Sequence, residues 1–200
     1  MNPIDRFFTK DPAHFARAYL EHLGRVLAAI DPEEIARFTA TLLDARERGA
    51  TIFFIGNGGS AATASHFAND LGVGTRCLER PFRALGLTDN HAVVTAIGND
   101  FGYHDVFARQ LRILGKAGDV LVAISASGNS PNLLEAIEQA KKMGIKSVAL
   151  TAFDGGRMRQ MADEGIHVPT EKGEYGPAED AHMILDHLVA AYLTRLVAAD

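Results

Sequence analysis

The chain has a single cysteine, Cys77, which excludes an intramolecular disulfide framework and makes a reducing, cytosolic setting the default. Cys77 itself reads as a small core or surface residue rather than a catalytic thiol. Cationic clusters are missing as well: the formal net charge is −5, and no run of Lys and Arg stands out. Nucleic acid and anionic membrane both reward clustered basic side chains, so neither is expected as a partner. No apolar run reaches the ~20 residues that span a bilayer. The stretch "MNPIDRFFTKDPAHFARAYLEHLGRVLAAI" carries charges throughout, where a signal peptide needs an apolar centre and a small-residue cleavage site. The expected location is cytoplasmic. Internal repeats, low-complexity tracts and linkers are absent too. With 47% apolar residues in 200, the sequence can bury a core without staples. It is expected to form one domain over residues 1–200, with a helical pair at 1–48 leading into an α/β core at 51–200.

What is present is a change of period. From Asp11 to Ile30, Phe15, Ala18, Tyr19, His22, Leu23, Val26 and Leu27 recur at helical spacing, and Asp31-Pro32 opens a second helix to about Arg48. Both helices must bury their stripes against the core or a neighbouring subunit. From Thr51 the apolar residues come instead in short unalternating runs: "TIFFI", "FRALGL", "DVLVAI", "KSVAL" and "GIHVP". Helix-length segments separate them, and a final helix is expected from about Gly176 to Val197. Continuous apolar strands alternating with helices predict a doubly wound, five-stranded parallel sheet covered on both faces. In such a sheet ligands bind outside the carboxyl ends of the strands.

Two of those ends carry unusual loops. In "GNGGSAA" the glycines Gly56, Gly58 and Gly59 allow a tight turn and close approach of backbone to ligand, and a helix starting near Ser60 aims free N–H groups at an anion. The run is neither G-x-G-x-x-G nor a P-loop, which counts against dinucleotide and nucleoside triphosphate. In "SASGNSPN" Ser125, Ser127 and Ser130 each offer a hydroxyl donor, Gly128 gives backbone freedom, and Ser130-Pro131 reads as an N-cap followed by the favoured N1 proline. A phosphate suits that loop.

Candidates for chemistry lie on helices. His66 and Asp70, four apart, project from one face and can coordinate a metal or share a proton. The last helix offers "GPAEDAHMILDHL", in which Glu179, His182 and Asp186 fall on one side. His182 and Asp186 read most simply as a helix-surface pair. His187 is rotated roughly 80° from Glu179 and lies about 12 Å further along the axis. Glu179 and His187 therefore meet only by leaning toward each other or by coming from different subunits.

The order "GNGGSAATASHFANDL", "GNDFGYHDVFARQL", "ISASGNSPNLLEAIEQAKKMGIKSVALTAFDGGRMRQMAD" and a closing His-containing helix resembles the sugar isomerase (SIS) domain proteins, specifically the phosphoheptose isomerases. The resemblance runs from about Ile52 to His187, and the leading helices agree with it. It implies the SIS fold, with the N-terminal helices used in oligomerisation and a homotetramer whose active sites lie at interfaces. It also implies conversion of sedoheptulose 7-phosphate to D-glycero-D-manno-heptose 7-phosphate by metal-assisted proton transfer through an enediolate. Substrate binding is implied for Asn57, Gly58, Gly59, Asp70, Asn99, Asp100, Ser125, Ala126, Ser127, Ser130 and Glu179. A zinc ion, one per subunit, is implied on His66, Asp70, Glu179 and His187, with Asp70 or Glu179 as the C–H base and His187 as its proton-shuttling partner. The chain departs from the family pattern in carrying Ala126 where threonine is common, Asp70 for glutamate, Glu179 for glutamine, and Gly176 where a polar or acidic residue is frequent. Two other readings stay open: a non-catalytic SIS module that binds a sugar phosphate or a replication-initiator protein, and an isomerase of another phosphosugar.

Overall fold

The structure, a computed structural model, describes residues 3–198. Twice an Asp-Pro pair starts a helix. Asp11 accepts a hydrogen bond from the Ala13 amide and Pro12 takes the first turn of α1 (Pro12–Ala28), while Asp31 and Pro32 do the same for α2 (Pro32–Glu47). α2 sinks Phe38, Leu42 and Ala45 into the core. α1 buries only Val26 and leaves Phe15, Tyr19 and Leu23 half-buried, with Leu20 and the preceding Phe8 exposed.

The strands follow as β1 (Thr51–Gly56), β2 (Arg83–Gly86), β3 (Val120–Ser125), β4 (Lys146–Thr151) and β5 (Glu164–His167). All pair in parallel, in the order β2-β1-β3-β4-β5. Between them run α3 (Gly59–Asn69), α4 (His91–Asp100), α5 (Ala108–Leu114), α6 (Pro131–Met143) and α7 (Gly156–Met161), and α8 (Tyr175–Val197) closes the described chain. Strand residues alternate between two apolar clusters. Ile52, Phe54, Val120, Val122 and Ile124 face one, under α2, α3 and α8, and Phe53, Ile55, Leu121 and Ala123 face the other, under α5 and α6. Burial on both faces explains why β3 is apolar from Val120 to Ile124 without alternation.

The winding reverses between β1 and β3, the central pair, in which Gly56 is in register with Ile124. Here the sheet splays its outgoing loops apart and opens a crevice. α3 leaves that crevice with α8 beside it, and the small residues Ala64, Ala68, Ala178 and Ala181 let the two backbones come close. Gly59 touches Glu179, and seven residues on His66 touches Asp186, so the two helices run parallel.

Candidate functional site

At the crevice the two loops face each other across a cavity of about 170 Å³. Ser125, Ala126, Ser127 and Ser130 form one wall, and Asn57, Ser60 and Glu179 the other, with Tyr175 at the rim stacked edge-on against Phe153. Ser125 Oγ accepts from the Gly128 amide at 3.1 Å and Ser127 Oγ from the Asn129 amide at 3.4 Å. The two hydroxyls also lie 3.5 Å apart, so one can donate to the other while the second keeps its proton for a ligand. Gly128 holds φ +62°, and a Cβ there would strike the Gly155 carbonyl, so the serine loop has one shape. Ser130 stands at the N-cap of α6 as expected, but its side chain makes no cap hydrogen bond. That hydroxyl remains available. No side chain caps α3 either, where Gly58 is the cap residue.

Asn57 is differently placed from a free ligand group. Its amide exchanges hydrogen bonds with Asn132 at 2.9 and 2.8 Å, and its oxygen also accepts from the Tyr103 hydroxyl at 2.9 Å. The glycine loop, the "NDFGY" segment and α6 are locked together by that one side chain. Asn99 and Asp100, by contrast, are exposed at the end of α4, bonded to each other at 2.7 Å and outside the cavity walls.

Two turns along the seam of α3 and α8 lies a second group. His66, Asp70, Asp186 and His187 each offer a ligand atom, and these atoms all lie within 4.8 Å of one another. His66 Nδ1 is 2.7 Å from Asp186 Oδ2 and 3.8 Å from Asp70 Oδ2, and its ring meets that of His187 edge-on at 5.1 Å. Asp70 caps α3, its amide still bonded to the His66 carbonyl, and opens a π-helical turn, Asp70–Gly74, with its carboxylate on the His66 face. The hydrogen bond to Asp186 raises the His66 pKa. Burial pushes Asp186 up to about 6, outweighing the imidazole beside it. Two imidazoles with carboxylates suit zinc or a similar borderline ion, and among the described residues Asp186 Oδ1 is buried with no hydrogen-bond partner.

Glu179 is not in this group. Within one chain its carboxylate lies against Gly59, where a Cβ would strike it, and burial raises its pKa, with Asp180 adding to the shift. Two helical turns separate it from His187, about 12 Å of rise. His182 and Asp186 are also not a surface pair: both are fully buried, and among the described residues neither ring nitrogen of His182 reaches full hydrogen-bond geometry, with the Thr151 backbone the acceptor beside it. The helical period places Glu179, His182 and Asp186 on one side; that side packs against the sheet and α3. Sequence reasoning passed over Tyr103, Asn132 and Tyr175, for which no local signal exists. It also left Asp186 without a role, although its helical phase, one turn beyond His182, was in view.

The SIS domain family matches residues 14–152, and a second SIS domain description matches residues 106–199. The chain is 43% identical over 166 residues to the phosphoheptose isomerase of Akkermansia muciniphila, covering 82% of this chain and 85% of that one. Among solved structures, it superposes on a phosphoheptose isomerase from Neisseria gonorrhoeae with a TM-score of 0.79 at 34% identity, over 90% of this chain and 95% of that one. One from Francisella tularensis gives 0.81 at 28% identity, over 92% and 99%.

Proposed function

The chain belongs to the SIS domain family, and from that premise we propose that it is an aldose–ketose isomerase converting sedoheptulose 7-phosphate to D-glycero-D-manno-heptose 7-phosphate. The observation that carries the reading is the cavity at the β1/β3 switch point, where three serine hydroxyls face a half-buried carboxylate of raised pKa. The hydroxyls of Ser125, Ser127 and Ser130, with the N-terminus of α6 behind them, hold the phosphate and orient the sugar. Glu179, whose burial makes it a stronger base than a solvated carboxylate, takes the proton from the carbon next to the carbonyl and returns it to the neighbouring carbon.

His66, Asp70 and His187 would hold a zinc ion, which would supply Lewis-acid polarisation of a substrate oxygen. His187, drawn into that group, orients the oxygen end of the sugar rather than carrying the proton. Because Glu179 is two turns away from the trio in its own chain, the complete site combines the serine loop and Glu179 of one subunit with the trio of another. The half-buried face of α1, with Phe8 and Leu20 exposed beside it, and the exposed Leu188, Tyr192 and Leu196 on α8 are apolar surface for such an assembly, a homotetramer. No described helix is long and apolar enough to cross a membrane.

The test is an isomerase assay on a panel of ketose phosphates with and without chelator, beside light scattering. Turnover of the seven-carbon phosphate that falls on chelation supports the reading. No turnover of any phosphosugar overturns it, and turnover of a shorter ketose phosphate alone overturns the heptose assignment. Mixing Glu179→Gln with His187→Ala subunits checks the shared site: random reassembly restores about a quarter of the wild-type sites if the two residues act across an interface, and none if they act within one chain.

A further inference from the structure

The four-residue group on the α3/α8 seam divides by access. The side chains of His66 and Asp70 are 42% and 24% exposed, and His187 is exposed, whereas Asp186 is 0% exposed. An arriving ion and a sugar reach the first three. Asp186 lies beneath them on α8, between the apolar neighbours Leu185 and Val189, and among the described residues its side chain's one hydrogen bond is to His66 Nδ1 at 2.7 Å. Its other oxygen, Oδ1, has no partner among the described residues. A buried carboxylate with one partner concentrates its charge on that contact, and the bond it accepts is of the short, charge-assisted kind.

We propose that Asp186 is the positioning carboxylate for His66, accepting the proton on Nδ1 so that Nε2, at the opposite edge of the ring, is the nitrogen offered to the metal. This rests on the metal reading of His66, Asp70 and His187 given above. A metal-binding histidine needs its second nitrogen protonated and fixed. Without an acceptor below, the ring of a half-exposed His66 flips and samples both tautomers, and part of the binding energy goes into ordering it. Asp70, whose Oδ2 is 3.8 Å from Nδ1, is too distant to be that acceptor; its Oδ1 accepts from Asn69 Nδ2 at 3.0 Å, and Oδ2 is left for the ion. The separation of Asp186 from Glu179 by two turns of α8 also divides their labour: one carboxylate orders the metal site from beneath, and the other works on the sugar.

The full-length protein, its Asp186→Ala and Asp186→Asn variants and His66→Ala are titrated with zinc against a chromophoric chelator, with thermal melting as the folding control. Asp186→Ala is expected to bind zinc about 10- to 100-fold more weakly than wild type, with Asp186→Asn recovering much of the loss because its amide oxygen still accepts from Nδ1. A folded Asp186→Ala protein with wild-type zinc affinity overturns the proposal and leaves the metal reading intact. Loss as complete as in His66→Ala, with no recovery in Asp186→Asn, overturns it in favour of Asp186 as a direct ligand. Failure of the wild-type protein to bind zinc overturns both. A long-range proton–nitrogen spectrum of the zinc-bound wild-type protein decides the matter independently of the variants: a proton on His66 Nδ1 and metal on Nε2 is expected, and metal on Nδ1 overturns it.

Discussion

The serine loop and the α3/α8 seam are built in opposite ways. The loop from Ser125 to Ser130 is contiguous, fixed by its own backbone, and delivers three hydroxyls from one strand end. The seam joins His66 to Asp186, 120 residues apart, through helix packing alone. A contiguous loop can hold a phosphate with groups whose protonation does not change near neutrality. Proton and metal chemistry needs titratable groups pressed together in poor solvent, and that is achieved by stacking elements distant in sequence. On the proposed reading, binding is therefore local in this molecule and reactivity is long-range.

The largest expected effects test that division from the reactive side. Glu179→Gln keeps the volume and removes the proposed base; kcat on sedoheptulose 7-phosphate is expected to fall by about 10²- to 10⁴-fold with KM little changed. An equal loss carried in KM would move Glu179 to the binding half. His187→Ala is expected to lose both zinc and turnover, where a serine-loop variant keeps its zinc. Metal analysis on the purified proteins separates the two.

Next in size is a prediction about stability. His182, buried on α8, has its pKa pushed down to about 4 by burial, which outweighs the Thr151 backbone acceptor beside it. Its unfolded value is about 6.5, so between pH 6.5 and 4 the unfolded chain binds a proton that the native state refuses, and stability falls as pH falls. The shift corresponds to about 3 kcal/mol at the acid end of that window. Asp186, raised to about 6, acts with the opposite sign: below pH 6 the native state keeps a proton the unfolded chain has lost, and stability rises on acidification. His182→Leu removes only the first effect. Its stability relative to wild type is expected to increase by about 3 kcal/mol from pH 7 to pH 4, read from denaturant midpoints. A flat difference would mean that His182 finds a partner in solution.

These residues also mark how far the sequence could be read. The five apolar runs, the Asp-Pro helix starts and the final helix have local causes in strand burial, capping and period, and each formed within a residue or two of its expected bounds, the runs forming shorter strands in β2 and β5. The serine loop was legible because its groups are adjacent. The seam was not, because the helical period states that Glu179, His182 and Asp186 share a side without saying what covers it. Which carboxylate meets His66 depends on the axial offset of α3 against α8, set by the meeting of Gly59 with Glu179. The partners of Asn57 were hidden for a similar reason: nothing in the glycine loop announces that Asn132 and Tyr103 are brought against its amide at the cavity wall.

Ser130 gives the smallest and most discriminating break. At an ordinary N-cap, serine to alanine costs about 0.5–2 kcal/mol because the hydroxyl satisfies a first-turn amide. Here the Ser130 hydroxyl makes no such bond, Pro131 has no amide to satisfy, and the Ser130 carbonyl already accepts from the Leu133 and Leu134 amides. Ser130→Ala is therefore expected to leave the melting temperature near wild type. Its hydroxyl lines the cavity instead, and a hydrogen bond to a charged phosphate oxygen contributes about 1.5–3 kcal/mol, so affinity for inorganic phosphate and kcat/KM should both fall by about tenfold or more. A drop in melting temperature with phosphate affinity unchanged would make Ser130 a cap after all and confine anion binding to Ser125 and Ser127. The reverse result assigns the third hydroxyl of the contiguous loop to the ligand.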